Sequence, residues 1–396
     1  MIKKITLSYF SQVAPILISF IALPLIYSRV PIEDIGRYES TLFIGALLLI
    51  FSRLSLPSVY FRHKLKEEAS SLFIIRILEI LCCLLCFVLV VIFLTTEITH
   101  LLIEKCYFIS LIVLILIEAL NKDIQTDENY LLAIKIFVSC AIFVQCIKVM
   151  FVFNGYASYS GLLVGDILLN FVYLIVYVVY RQRLLKIPRI RDIVASLGYL
   201  NFDKKYWLTL YAHHVMSFVN QHLAKIIVIM YLSTSDMALL ALSIKILLPI
   251  SLSVDAFIYW LSPLVFKGKF KTTAYHVLAI FGIGALLLVF AELFYDVIFL
   301  MIFPEIFIES KSIFMILLFG QILNVVYRIS AVQILASSNV SVLLIITTIN
   351  LLVSACMIYI VDIELSLKIV ASITIIQALV QVASIYAYSR YNTKPA

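Results

Sequence analysis

The chain has 396 residues, of which 64% are hydrophobic and 13% are charged. A soluble domain is usually about 45 to 50% apolar and about 25% charged, so this composition excludes a water-soluble protein. It also excludes a disordered chain. The net charge of +7 does not indicate nucleic-acid binding, because most of the basic residues lie in segments that we predict to face the cytoplasm.

Long apolar runs recur along the whole chain. At roughly 20 residues per crossing, they predict an all-α polytopic membrane protein with about twelve transmembrane helices. The runs are continuous and do not alternate with a period of two, which argues against an outer-membrane barrel. The predicted spans are 7–29, 40–58, 72–94, 106–120, 131–153, 160–180, 207–231, 239–264, 275–300, 311–334, 340–361 and 366–389.

The basic residues predict the orientation of these spans. If the N-terminus is cytoplasmic, the outer segments hold few basic residues, namely Arg29, Arg37, Lys105, Lys311 and Lys368. Most of the others fall on the inner side. The positive-inside rule therefore places both termini in the cytoplasm.

The longest polar connection, 181–206, is basic and lies at the middle of the chain. It divides the sequence into an N-terminal six-helix lobe (1–180), a basic cytoplasmic linker (181–206) and a C-terminal six-helix lobe with a short tail (207–396). Because both halves begin at the cytoplasm, a duplication would be a parallel repeat. A faint similarity at an offset of 202 places Asp34 opposite Asp236 and Thr41 opposite Ser243.

Several predicted spans carry polar residues at helical spacing, so that each set occupies one helix face. The sets are Ser8, Gln12, Pro15 and Ser19; Asp166, Asn170, Tyr173 and Tyr177; His214, Ser217, Gln221 and Lys225; Gln321, Asn324 and Arg328; and Gln377, Gln381, Ser384 and Tyr388. One polar stripe per helix is typical of helices that surround a hydrated cavity. The alternative is that these side chains join helices by hydrogen bonds.

Charged residues inside apolar spans are costly and usually face a partner or a cavity. We predict a cationic path for an anionic substrate such as a diphosphate. Its members are Arg328, Lys225, Lys245 and Lys148. The amides that we expect to contact the substrate are Gln221, Asn324, Gln321 and Gln12. For Lys148 and Lys245 the alternative is snorkelling to the outer interface.

Three further titratable residues are candidates for ion or proton coupling. Asp255 and Asp166 would either pair with the cations or bind a proton, and His214 would carry a proton. The alternative for His214 is a structural role. We predict no metal site, because the adjacent His213 and His214 point about 100° apart on a helix, and a single CxxC pair, Cys83 and Cys86, favours buried thiols.

The start of the chain resembles a known family. Leu7, Ser8 and Gln12 lie in a first span that ends at Arg29 and Val30 and runs into Glu33-Asp-Ile-Gly36-Arg-Tyr38. This opening, with the basic exit from the second span and the six-plus-six layout, resembles Wzx-type O-antigen flippases. They belong to the multidrug/oligosaccharidyl-lipid/polysaccharide (MOP) exporter superfamily.

The resemblance implies a MATE-like fold of two six-helix lobes and a transporter rather than an enzyme. It would move undecaprenyl-diphosphate-linked O-antigen repeat units from the cytoplasmic to the periplasmic leaflet of a Gram-negative inner membrane by alternating access. The resemblance also implies coupling to H⁺ or Na⁺ without a bound cofactor. The expected partners are the lipid-linked oligosaccharide, membrane lipid, an O-antigen polymerase and a chain-length regulator, with no nucleic acid.

Two alternatives stay open. An O-antigen polymerase has a similar length and hydrophobicity, but it would carry a large periplasmic loop, whereas the longest loop here is predicted to be cytoplasmic. A small-molecule exporter of the same superfamily would be expected to line its cavity with more acidic residues.

Overall fold

The computed structural model describes residues 14, 17–53, 82–92, 102–126, 130–182, 204–266, 274–336, 340–361 and 366–392. Within these residues the regular elements are helices, and no strand occurs. The long helices are α1 (Ile32–Arg53), α2 (Leu102–Thr126), α3 (Tyr130–Phe153), α4 (Tyr159–Gln182), α5 (Lys204–Tyr231), α6 (Thr234–Phe266), α7 (Ala274–Ile302), α8 (Ser310–Ala336), α9 (Val340–Val361) and α10 (Leu367–Asn392). A short 3₁₀ turn, Glu305–Phe307, connects α7 to α8.

Two helix starts show how local sequence sets the helix boundaries. Helix α6 begins with a reciprocal cap formed by Ser233 and Asp236. The backbone N–H of Asp236 donates to the Ser233 hydroxyl, and the backbone N–H of Ser233 donates to the Asp236 carboxylate. Helix α1 follows Pro31 and carries Glu33 and Asp34 in its first turn, where the helix dipole favours negative charge. The two helices begin 202 residues apart (234 − 32), which is the offset found in the sequence.

In the described part of the chain, eight helices are long and apolar enough to cross a membrane. This finding confirms the predicted fold class, an all-α polytopic architecture. The boundaries agree with the predicted spans within a few residues for most helices. Helix α1 is the exception, because it begins at Ile32 and the prediction began at residue 40.

The described residues fall into two compact units. Unit 1 lies within Met1–Pro31 and Thr41–Tyr211, and unit 2 lies within Ile32–Ser40 and Ala212–Ala396. The first turns of α1 therefore belong to unit 2, and the rest of the helix belongs to unit 1. Residues 183–203 of the predicted linker lie outside the described part of the chain.

Each unit has its own apolar packing. In unit 1, α2 packs against α3 and α4, and Ile117, Leu120 and Phe137 form a buried cluster. In unit 2, α8 packs against α6, α7 and α10. Leu261 of α6 and Ile329 of α8 belong to one buried cluster there.

Candidate functional site

A cluster of three charged side chains lies in unit 2, and we call it the Glu39 cluster. It consists of Glu39 on α1, Lys225 on α5 and Lys245 on α6. The Lys245 ammonium forms an ion pair with the Glu39 carboxylate, and Lys225 interacts electrostatically with both of the other residues. Two ammonium groups and one carboxylate give this cluster a net positive charge. The structure thus brings together two of the predicted cations, with a carboxylate that the sequence analysis missed.

A close helix contact positions Glu39. Gly36 lies one turn earlier on α1, and a Cβ atom added there would lie 1.7 Å from the carbonyl oxygen of Thr234 at the start of α6. Only glycine allows two backbones to approach this closely. Because Ile35, beside it, is fully buried, this turn of α1 is docked on unit 2 and carries Glu39 to Lys245.

The face of α5 that carries Lys225 also carries two polar residues that contact each other. Gln221, one turn before Lys225, is exposed and donates a hydrogen bond of 3.4 Å to the hydroxyl of Ser217. An exposed amide beside a cation suits a ligand that has both an anionic group and hydroxyl groups. His214, earlier on α5, is half-buried.

In unit 1 the structure pairs two of the predicted residues with each other. The Lys148 ammonium on α3 donates to Asp166 on α4, with 2.5 Å between Nζ and Oδ1. Gly165 leaves room for the lysine stem, since a Cβ atom there would lie 2.5 Å from the Lys148 Cγ. Lys148 and Lys245 thus both reach carboxylates inside the protein. The Lys148–Asp166 pair carries no net charge, so it attracts an anion less than the Glu39 cluster does.

The predicted residues on α8 lie in unit 2. Arg328, Asn324 and Gln321 are half-buried, whereas Ile322 and Val326, on other faces of the helix, are buried. Of the other predicted residues, Gln12 lies outside the described residues, and Asp255 lies on α6 with its side chain outside them.

Several members of the polar stripes join helices by hydrogen bonds, and Asn170 and Gln377 are two of them. Asn170 on α4 donates to the hydroxyl of Ser110 on α2 at 2.7 Å, and Gln377 on α10 donates to that of Ser354 on α9 at 3.1 Å. For these two residues, interhelical bonding accounts for the polar position without a cavity.

A second buried carboxylate lies in unit 1. Glu104 on α2 accepts a hydrogen bond of 2.8 Å from the Tyr159 hydroxyl on α4. Because that bond uses the phenolic proton, the Thr41 hydroxyl on α1 donates to the Tyr159 oxygen, also at 2.8 Å. All three side chains are buried. This chain of hydrogen bonds was not predicted from the sequence, because Glu104 lies just before a predicted span.

A polar region joins α5 and α9 in unit 2. The Thr347 hydroxyl donates to the Leu343 carbonyl at 2.7 Å, so its oxygen accepts from His213 Nδ1 at 3.3 Å. Asn220 donates to the Thr347 carbonyl at 2.9 Å. The side-chain oxygen of Asn220 and both polar atoms of the fully buried Asn350 have no hydrogen-bond partner among the described residues.

No cluster of three or more His, Cys, Asp or Glu residues suitable for a metal ion occurs among the described residues. The buried side-chain atoms that have no partner within the described part of the chain belong to amide groups, which suit water or a hard monovalent cation better than a transition metal.

Comparison with known proteins supports the fold. No family model matches the sequence, and no curated protein matches it. A solved structure of the lipid II flippase MurJ, in an inward closed conformation, superposes with a TM-score of 0.70 at 16% identity, covering 98% of this chain and 88% of MurJ.

Multidrug transporters are similar as well. An inward-facing MATE family transporter of the MOP superfamily has a TM-score of 0.63 at 12% identity, covering 96% of each chain. A point mutant of the Vibrio cholerae MATE transporter VcmN also has a TM-score of 0.63 at 12% identity, covering 99% of this chain and 97% of its own. Together with the eight apolar helices, these likenesses show a multi-pass membrane protein with the fold of MOP superfamily transporters.

Proposed function

We propose that this protein is a flippase for a lipid-linked oligosaccharide, the undecaprenyl-diphosphate-linked O-antigen repeat unit. It would move this substrate from the cytoplasmic to the periplasmic leaflet of a Gram-negative inner membrane by alternating access. The observation that carries the proposal is the net positive Glu39 cluster within apolar helices, in a chain with the fold of a lipid II flippase.

The chemistry of the site suits this substrate. Lys225, Lys245 and Arg328 would neutralise the diphosphate, because lysine acts as a point charge and arginine forms bidentate contacts with phosphate. Gln221, Gln321 and Asn324 would contact sugar hydroxyl groups. Lys148 would have to break its ion pair with Asp166 before it could bind an anion, so its contribution to diphosphate binding would be smaller.

Ion coupling is part of the proposal. Asp255, Asp166 and His214 are the candidate proton sites, and Asp166 would exchange its lysine partner for a proton. For Na⁺, the unpaired amide oxygens of Asn220 and Asn350 are ligands of the right kind, since hard cations prefer oxygen. An O-antigen polymerase and a chain-length regulator would act on the delivered repeat unit.

A double substitution tests the function. Arg328→Ala with Lys225→Ala should abolish surface O-antigen and leave the protein level intact. Lys368→Ala, at an exposed position, is the matched control and should leave O-antigen unchanged. Normal surface O-antigen in the double mutant would contradict the proposal.

A deletion strain separates a flippase from a polymerase. Loss of a flippase should leave single lipid-linked repeat units on the inner side of the membrane. Loss of a polymerase would instead let single units reach the surface.

A multidrug exporter is the second candidate, because MATE transporters share the fold. Cationic drugs would be repelled by a net positive cluster, which disfavours this function. Efflux of a cationic dye from cells that express the protein would support it.

A further inference from the structure

Glu39 lies where a substrate anion would bind. Its carboxylate is 4% exposed and is paired with Lys245, and Lys225 interacts with it as well. Of the two lysines on which the proposed function depends, Lys245 is therefore already paired with an anion that belongs to the protein, and Lys225 is already attracted by it.

We propose that Glu39 is a resident anion that the substrate diphosphate displaces from Lys245 and Lys225, and that this displacement releases the first turns of α1 from α6. The inference rests on the proposed function and adds how substrate binding is converted into movement. Glu39 is a positioning residue in this scheme, because it acts through the two lysines.

The exposure of the two partners makes the exchange feasible. The Lys245 side chain is 28% exposed, whereas that of Glu39 is 4% exposed. An incoming anion can therefore contact the ammonium group before Glu39 leaves it. A diphosphate offers more oxygen acceptors and more negative charge than one carboxylate, so it competes well with Glu39 for the two lysines.

The exchange of Glu39 for the diphosphate affects the segment of α1 that packs on α6. Glu39 lies one turn beyond Gly36, which packs directly on the backbone of Thr234. The ion pair with Lys245 and this backbone contact hold the same segment, Ile32–Ser40, on unit 2. When the diphosphate breaks the ion pair between Glu39 and Lys245, only the backbone contact at Gly36 of these two interactions still attaches the segment to α6.

The Lys148–Asp166 pair supplies a contrast within the same chain. It has one cation for one carboxylate, and both side chains are largely buried, at 6% and 15% exposure. An anion gains less there, because the neutral pair attracts it less than a net positive cluster does. Asp166 is therefore a reference site for Glu39 in a labelling experiment.

Binding of undecaprenyl diphosphate to the full-length protein in lipid nanodiscs tests the exchange. Glu39→Gln removes the competing charge and should tighten binding roughly tenfold, which corresponds to one close charge pair in a partly screened site. Lys245→Gln should weaken binding. Glu309→Gln, the same substitution at an exposed residue outside the Glu39 cluster, should leave it unchanged. Unchanged or weaker binding by Glu39→Gln would overturn the inference, and so would equal tightening by Glu309→Gln.

Labelling of the wild-type protein gives a second test that needs no variant. A membrane-permeant carbodiimide reacts with accessible carboxyl groups, and mass spectrometry reports each site. We expect undecaprenyl diphosphate to increase the labelling of Glu39 and not that of Asp166, while exposed Glu292 reports the reagent's activity. Glu39 labelling that stays constant while undecaprenyl diphosphate binds would overturn the inference.

Two comparisons separate the inference from the proposed function. If the wild-type protein does not bind undecaprenyl diphosphate, the proposed function fails. If it binds but Glu39→Gln binds equally, the inference alone fails. Inorganic diphosphate serves as a further probe in the labelling experiment. If it increases the labelling of Glu39 less than undecaprenyl diphosphate does, the natural ligand is lipid-linked. An equal increase indicates that a free diphosphate binds at the same site.

Discussion

Lys148 and Asp166 form a direct ion pair between α3 and α4, with 2.5 Å between Nζ and Oδ1. From the sequence, the lysine was predicted to bind the substrate, and the aspartate either to pair with one of the cations or to bind a proton. The structure pairs the two groups with each other. Whatever transport role either has, each partner first serves to compensate the other's charge inside unit 1.

Removing one member of this pair should destabilise the protein. Asp166→Asn leaves the ammonium of buried Lys148 without its carboxylate, and breaking a buried pair costs about 3 to 5 kcal/mol. We expect a lower midpoint of thermal unfolding in detergent. The double variant Lys148→Met with Asp166→Leu should recover most of the loss, and a single variant as stable as the wild type would contradict a buried pair.

Two helical glycines should respond in opposite ways to alanine. Gly36→Ala places a methyl group on the Thr234 carbonyl, and overpacking of this kind costs about 1 to 3 kcal/mol. Gly282→Ala on α7 meets no atom within 4 Å and should be neutral or stabilise the helix by up to about 1 kcal/mol. Thermal unfolding of both variants tests the close approach of α1 and α6, and equal effects would argue against it.

The hydrogen bond to Glu104 should be measurable by removing one hydroxyl group. Tyr159→Phe takes a donor from a buried carboxylate, and hydrogen bonds to charged groups contribute about 1.5 to 3 kcal/mol. In the Glu104→Gln background, Tyr159→Phe should lower the stability less, because a neutral amide accepts a weaker hydrogen bond than a carboxylate. Tyr156→Phe, at an exposed ring, is the control and should unfold like the wild type. A double-mutant cycle without coupling would contradict the interaction.

The orientation in the membrane remains a prediction from the basic residues. Fusions of a periplasm-active reporter after residue 100 should be active, and fusions after residue 195 should be inactive, since the positive-inside rule places the first position outside and the second inside. A cytoplasm-active reporter should give the opposite result. Activity of the periplasmic reporter at both positions would contradict the cytoplasmic location of the linker, and activity only after residue 195 would contradict the orientation.

The helices were predictable because the bilayer selects long apolar runs, and α9 begins and ends within the predicted span. Glu39 was missed for the same reason. Glu33, Asp34 and Arg37 lower the apparent hydropathy of the first turns of α1, so the hydropathy pattern began the span at residue 40. Pro31 followed by two acidic residues is a helix-start signal, and weighting it would have placed Glu39 inside the helix.

The pairing of charges was harder to predict. Charge within apolar spans identified Lys148, Lys225, Lys245 and Asp166 as residues that need a partner or a cavity, but the sequence of one span carries no information about which helices face each other. Helix packing decides that Lys245 meets Glu39, a residue 206 positions away in sequence. The sequence could therefore indicate the chemistry of the site but not its partners.

Helix α7 presents a largely exposed apolar surface, with Leu278, Leu286 and Leu293 among its exposed side chains. Its apolar stretch of 23 residues is about 35 Å long, roughly 5 Å more than the hydrocarbon core of a typical bilayer. A bilayer accommodates such an excess by tilting the helix or by thickening locally. Since Gly284 of α7 packs on Ile322 of α8, we expect a change in lipid chain length that tilts α7 to shift α8, the helix that carries Arg328.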